Sequence, residues 1–413
     1  MAEPVIYFHE WAPRLKESIM NNLQKSWWLR AAARLAGVLA GVLAAVLATS
    51  ASAMGQTQYV VTNDDPGVSF YSVGPNGLLT LLQQVQIGGF GNAAGFFGTN
   101  RIAVLNSGNQ QCVYASVTST GEITGIAIST QTVGGSASGS PTDNGAANGI
   151  GLAINSQYLY ASFTSSNTIG TFQVLPGCSL TFVNDVAVNG LAGGMISGMM
   201  IHGNVMVATF TDGSIQSFDI SQGTPVSNSD EQYSTATLSS NDATYPNSID
   251  ITSDGHFAIF GDTSTAVVVE VSDISSGQLT PTVVYTSKTS INSSNVMLSP
   301  DETMLYIIHT QGASVGAMFF DKTTGTLSGG CTSARVKGES AIWSYLGGLG
   351  LISQTGNGGG VYVAEFANPS AIAMVALNSS GGKCSLREVP QSPFADPNSA
   401  GLLSIGTFPP RSF

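Results

Sequence analysis

The chain has 413 residues, with 13 Lys plus Arg against 25 Asp plus Glu and a formal charge of −12 at pH 7. So acidic a chain repels polyanions, which excludes nucleic acid and anionic membrane surfaces as principal partners. Only 9% of residues are charged while 49 are Gly, a balance that points to a soluble β protein with many exposed turns.

Residues 1–53 differ in kind from the rest. Residues 35–48 (LAGVLAGVLAAVLA) are apolar and uncharged, preceded by Lys25, Arg30 and Arg34 and followed by Ala51, Ser52 and Ala53. A basic segment, a short apolar segment and an A-x-A site predict a secretory signal peptide. The competing reading is an uncleaved anchor, but a spanning helix needs roughly 20 apolar residues. Met20 opens a leader of more usual length, so residues 1–19 are a candidate start-site artefact. Cleavage after Ala53 leaves residues 54–413 as one exported domain, periplasmic or extracellular, with no membrane span. It carries 8 Lys plus Arg and 22 Asp plus Glu, a net charge of −14, and is expected to be a monomer.

From Gln58 onward one unit recurs seven times. Its opening β-type runs are YVVTN at Tyr59, IAVLN at Ile102, LYASF at Leu159, VMVAT at Val205, FAIFG at Phe257, LYIIH at Leu305 and VYVAE at Val361. A period of roughly 40 to 50 residues with several strands per unit predicts a β-propeller. The fifth unit gives the blade pattern: NSIDIT, FAIF, AVVVEVS and LTPTVVY read as strands a to d of an antiparallel sheet. Gly-bearing turns, GPNG at Gly74, STGE at Ser119, LPGC at Leu175, SQGT at Ser221, SSGQ at Ser275, TTGT at Thr323 and SSGG at Ser379, are assigned to the link between c and d. The first unit lacks a strand a, and AGLLSIGTF (Ala400 to Phe408) has no unit of its own, so the C-terminal strand is expected to pair with the first blade and close the ring. The predicted fold is all-β, a seven-bladed propeller of four-stranded antiparallel blades.

Four cysteines, Cys112, Cys178, Cys331 and Cys384, lie in the exported part without a CxxC pair. Two disulfides between neighbouring units are expected in an oxidising compartment, with free buried thiols as the alternative.

The segments LSPDETMLYIIHTQG (298–312), FFDKTTGTL (319–327), ITSDGHFAIF (251–260) and VSDISSGQL (271–279) resemble the bacterial lactonase family of seven-bladed propellers, which includes 6-phosphogluconolactonase-like proteins. The resemblance implies a carboxylic ester hydrolase acting on a sugar lactone or related ester. The alternative is a non-catalytic propeller that binds a carbohydrate or a protein on its loop face.

In a propeller the loops from b to c, and from d to the next a, gather at one mouth of the channel. The residues ending the strands read as b are Asn63, Asn106, Phe163, Thr209, Gly261, His309 and Glu365, with Asp262 beyond Gly261. His309 and Glu365 fall on adjacent blades and are the candidate catalytic pair, the carboxylate orienting an imidazole that activates water. The competing reading is a hydrogen-bonded strand end for His309 and a solvated loop residue for Glu365. Trp343 and Tyr345 are candidate stacking residues, with packing between blades as the alternative. Asn63, Asn106, Asp262 and Glu365 are hard oxygen donors that suit Ca²⁺ at the mouth, though no loop has a calcium spacing. No other cofactor and no transition-metal centre is expected. Arg101 is read into an a–b turn on the opposite face, Arg335 and Arg387 into outer strands, and Met195, Met199 and Met200 (MISGMM) onto the channel-lining strand a of the fourth blade, packed in the core, with ligand contact as the alternative.

Overall fold

The computed structural model describes residues 58–410 except 66, 75–76, 88–100, 109, 118–119, 139–148, 165, 233–245, 263–266, 287–292, 310–312, 338–344, 353–359, 367–369, 397–399 and 409. The leader assigned to residues 1–53 lies outside the described residues. Among those described, no helix is long and apolar enough to cross a membrane.

The described residues form seven antiparallel sheets. In the first blade, strand b is Tyr59–Asp65, c is Gly67–Val73 and d is Leu79–Gln86, and strand a is the C-terminal Ala400–Phe408. Tyr59 pairs with Phe408 and Asn63 with Ser404, so the two ends of the domain share one sheet. The other innermost strands are Ile102–Ser107, Gly149–Ile154, Ile196–His202, Pro246–Ile251, Ser293–Leu298 and Tyr345–Ile352. Each touches the innermost strand of the next blade, and a short strand, Phe394–Asp396, adds to the seventh sheet.

Local chemistry accounts for the repeated turns. In the c–d turns, Asp219, Asp273 and Asp321 accept the backbone N–H two residues on, from Ser221, Ser275 and Thr323, at 2.8–2.9 Å. This Asx geometry delivers the chain to Gly223, Gly277 and Gly325, whose φ of 82°, 77° and 67° favours glycine. The D-x-x-T-G-type motif is thus a hairpin device.

Each of the seven apolar clusters spans two neighbouring blades. The sixth and seventh blades share Tyr306, Ile308, Val315, Val361, Val363 and Ala373, and the seventh and first share Tyr362, Ala364, Ile372, Val60 and Ile405. A twisted four-stranded sheet has two apolar faces, and the ring buries both.

The second blade corrects the assignment of IAVLN. Ile102–Ser107 is its innermost strand a, Gln110–Val117 is b, Glu122–Ala127 is c and Thr132–Ser138 is d. The STGE turn therefore joins b to c, and the c–d link is the four residues 128–131, where Gln131 takes the positive φ of 53°. With that shift, the expected strand order holds in all seven blades. Met195 is 40% exposed and precedes the innermost strand of the fourth blade, so the expectation that it packs in the core is corrected.

The disulfides are Cys112–Cys178 and Cys331–Cys384, with Cα–Cα distances of 5.6 and 5.7 Å. Each links neighbouring blades, second to third and sixth to seventh, as the spacing suggested.

Candidate functional site at the b-strand ends

Strand pairing defines the mouth. His309, last of Met304–His309, pairs with Ser293 at the start of its strand a and with Ser314 at the start of its strand c. Glu365 pairs with Leu346 and Ala371 in the seventh blade. Both sit at the b-strand ends where the b–c and d–a connections arrive, as expected. With the second blade re-registered, the equivalent ring is Asn63, Val117, Phe163, Thr209, Gly261, His309 and Glu365.

Asn106 does not belong to this ring. It lies near the end of an innermost strand, beside the a–b turn on the opposite face, exposed and accepting a 3.4 Å hydrogen bond from Gln111 Nε2. Its assignment to the mouth is corrected, and the four-oxygen Ca²⁺ set is not assembled, because Asn106 stands at the other end of the channel from Asn63 and Glu365. Among the described residues, no three His, Cys, Asp or Glu gather as metal ligands.

The ring is buried rather than open to the mouth. Asn63, Glu365 and His309 are 1%, 1% and 7% exposed. A b-strand is second from the channel, so its side chains pack between blades. Asn63 uses its position structurally, as Nδ2 donates to the carbonyls of Arg101 (3.2 Å) and Ser116 (2.9 Å) in the second blade.

His309 is held by a close approach to strand c. A Cβ placed on Gly316 would lie 2.5 Å from His309 Nε2, so glycine there makes room for the ring. Burial pushes the imidazole down to about 4, which leaves it neutral at pH 7. Its Nδ1 is buried and, among the described residues, has no hydrogen-bond partner. The expected carboxylate–imidazole hydrogen bond through that nitrogen is therefore absent, although both residues occupy equivalent positions on adjacent blades.

Asp262 ends strand Phe257–Asp262 opposite Pro246, and Tyr345 opens an innermost strand opposite Phe366. Their side chains, and all of Trp343, lie outside the described residues.

The arginine assignments change most. Arg101 immediately precedes the innermost strand of the second blade, so it stands on the mouth face, not in an a–b turn. Its backbone N–H donates to Ser404 Oγ at 2.8 Å, and its side chain is 1% exposed. Burial lowers the guanidinium to about 10, still charged at neutral pH. Arg335 follows the outer strand Thr326–Thr332 and enters the connection between the sixth and seventh blades; Arg387 lies on the outer strand Lys383–Glu388 as expected. The misread second blade is what concealed Arg101.

A family profile described as lactonase, 7-bladed beta-propeller, matches residues 112–393. The chain belongs to the seven-bladed β-propeller lactonase family. Comparison with curated proteins gives no match. Among solved structures, the lactonase-family propeller is similar to the Pseudomonas aeruginosa periplasmic gluconolactonase PpgL, with TM-score 0.63 and 11% identity over 85% of this chain and 99% of that one. It is also similar to a candidate 6-phosphogluconolactonase from Bacteroides uniformis (TM-score 0.62, 14% identity, 86% and 100% covered) and another from Bacteroides fragilis (0.62, 13%, 85% and 98%). At these identities the likeness concerns the fold.

Proposed function

We propose that this lactonase-family propeller is exported and hydrolyses an uncharged sugar lactone or related ester, with His309 as general base and Glu365 as the group that orients the imidazole or the attacking water. The observation that carries the reading is the buried, neutral His309 at a b-strand end equivalent to that of Glu365 on the adjacent blade. Catalytic hydrogen bonds often tighten only when substrate is bound. In the reaction His309 takes a proton from water as the water oxygen bonds to the lactone carbonyl carbon. The ring C–O bond then breaks, and His309 returns the proton to the leaving alkoxide to give the open-chain hydroxy acid. A phosphorylated lactone fits less well, because the exported chain has net charge −14. Export is supported by the placement of both disulfides in the propeller.

A non-catalytic binding role is favoured by one observation: an imidazole lowered to about 4 is a weak base. Hydrolysis of gluconolactone, galactonolactone and unsubstituted δ-lactones by the oxidised propeller separates the two. His309→Ala and Glu365→Ala are each expected to lower kcat by about a hundredfold or more, and Gly316→Ala, which displaces the ring, to lower kcat more than it raises KM. Activity indifferent to all three substitutions removes the site; no activity on any lactone leaves the binding role.

A further inference from the structure

The two disulfides differ in setting. Cys112 and Cys178 are 0% and 3% exposed, and a Cβ on Gly134 would lie 3.1 Å from Cys178 Cβ, so the outer strand of the second blade lies directly over that bond. Cys331 and Cys384 are half-buried on the outer strands Thr326–Thr332 and Lys383–Glu388, at the rim of the sixth and seventh blades. A reductant reaches this second bond without opening a blade.

The rim disulfide also sits among cations. Residues 54–413 hold 8 Lys and Arg, and residues 102–287 contain none of them. Four of the eight, Arg335, Lys337, Lys383 and Arg387, are exposed within six residues of Cys331 or Cys384. Lys337 N–H donates to Glu388 Oε2 at 2.9 Å, which brings the segment after Cys331 beside the strand that carries Arg387. Glu388 is the one carboxylate in residues 331–337 and 383–388. Cations beside a disulfide draw an attacking thiolate and stabilise the thiolate that leaves.

Strand pairing ties this bond to His309. Cys331 stands opposite Ala317, and Thr332 opposite Gly316, the glycine that makes room for the imidazole. Ser333 extends the ladder, donating its N–H to the Val315 carbonyl at 2.8 Å and accepting the Val315 N–H on Oγ at 2.9 Å. Of Thr326–Thr332 only Leu327 is buried, and Gly329 and Gly330 take φ of 56° and 144°. Apolar burial therefore does little to hold the end of the strand that backs Gly316. The disulfide is its anchor.

We infer that Cys331–Cys384 is an exchangeable disulfide, opened by a dithiol, and that its state governs how the strand Ser314–Asp321 holds His309. Its bearing on catalysis rests on the hydrolase reading; the exchange does not. One thiolate of the dithiol attacks a sulfur of the pair, the S–S bond breaks, and the other cysteine leaves as a thiolate. The second thiol then resolves the mixed disulfide. The dithiol is oxidised to a disulfide, and its two protons end on Cys331 and Cys384.

The test treats the folded, oxidised propeller with dihydrolipoate, a dithiol that carries a carboxylate. Alkylation and peptide mass mapping report which cysteines open, and the His309 Cε1–H resonance, assigned through His309→Gln, reports the ring. Cys331–Cys384 is expected to open at least about tenfold faster than Cys112–Cys178, with the His309 resonance shifting in step. Lys383→Glu with Arg387→Glu should slow the opening severalfold, and high salt should remove that difference. Cys331→Ala with Cys384→Ala should place the resonance at its reduced position while a cooperative thermal transition shows the variant folded. Equal opening of the two disulfides, or opening of neither, overturns the inference, as does selective opening that leaves His309 unmoved. An opening rate indifferent to the charge reversals overturns the role of the rim cations. Absence of lactone turnover in the oxidised protein removes the hydrolase reading, and the inference then stands or falls on alkylation and resonance alone.

Discussion

His309 combines burial, a neutral ring and, among the described residues, a nitrogen without a partner, and that combination has a consequence for pH. Its folded pKa is lowered to about 4 from 6.5, so between these values the unfolded chain binds more protons, and stability is lost as pH falls. At about 1.4 kcal/mol per unit, the loss approaches about 3 kcal/mol. The hydrogen-bonded carboxylates do not mask it: burial raises Asp212, Asp254 and Asp301, but donated hydrogen bonds outweigh burial and hold each below 3.8. Their contribution is present above 3.8 and is lost only below that window. Urea unfolding at pH 7.0 and 4.5 should therefore show a steeper loss for the parent protein than for His309→Gln; identical slopes mean that the ring charges freely in the fold. His309 and Glu365 were legible because a repeat assigns each residue a position. The burial of the ring was not, since alternation along a strand does not distinguish a channel-facing side chain from one packed between blades.

The second blade shows where element-level reading fails. Its innermost strand, IAVLN, is apolar and β-branched like a b-strand, and Gly121 (φ 71°) sits where a c–d turn was sought. The real c–d turn uses Gln131 at φ 53°, a residue with no turn signal. One misplaced glycine moved Asn106 to the wrong face and hid Arg101. The disulfides were easier to anticipate, because blades adjacent in sequence are adjacent in space. Cys112 sits on strand Gln110–Val117, and Cys178 lies between strands c and d of the third blade, 66 residues away. Chain-entropy reasoning assigns such a link about 4 kcal/mol, less whatever the closed ring already constrains. Removing it by a Cys112→Ala, Cys178→Ala double substitution should lower Tm by several degrees while the β circular-dichroism signature persists; an unchanged Tm means that the ring alone holds these blades in place.

At the scale of the molecule, ring closure joins the two ends of the domain through one sheet. Ala400–Phe408 supplies strand a of the first blade and pairs with Tyr59–Asp65. Ile405 and Phe408 are buried in the clusters shared with the seventh and second blades, and Ser404 Oγ receives the Arg101 N–H. A Cβ on Gly406 would lie 2.7 Å from Ile102 Cγ2, so this strand packs tightly against the second blade as well. Burial of two large apolar side chains is worth about 3 to 6 kcal/mol, before counting the lost ladder and the edge exposed along Tyr59–Asp65. Domains have about 5 to 15 kcal/mol of stability in total, so the loss is comparable to the whole. Truncation after Pro397 is therefore expected to yield protein that aggregates through the unpaired edge, or that binds a hydrophobic dye and lacks a cooperative thermal transition. Adding a peptide of residues 398–413 in trans should restore the transition if the missing strand is the sole defect. A soluble truncate with a cooperative transition near that of the intact domain means that the six blades closed by their own strands hold the ring, and that the C-terminal strand covers an edge without closing anything.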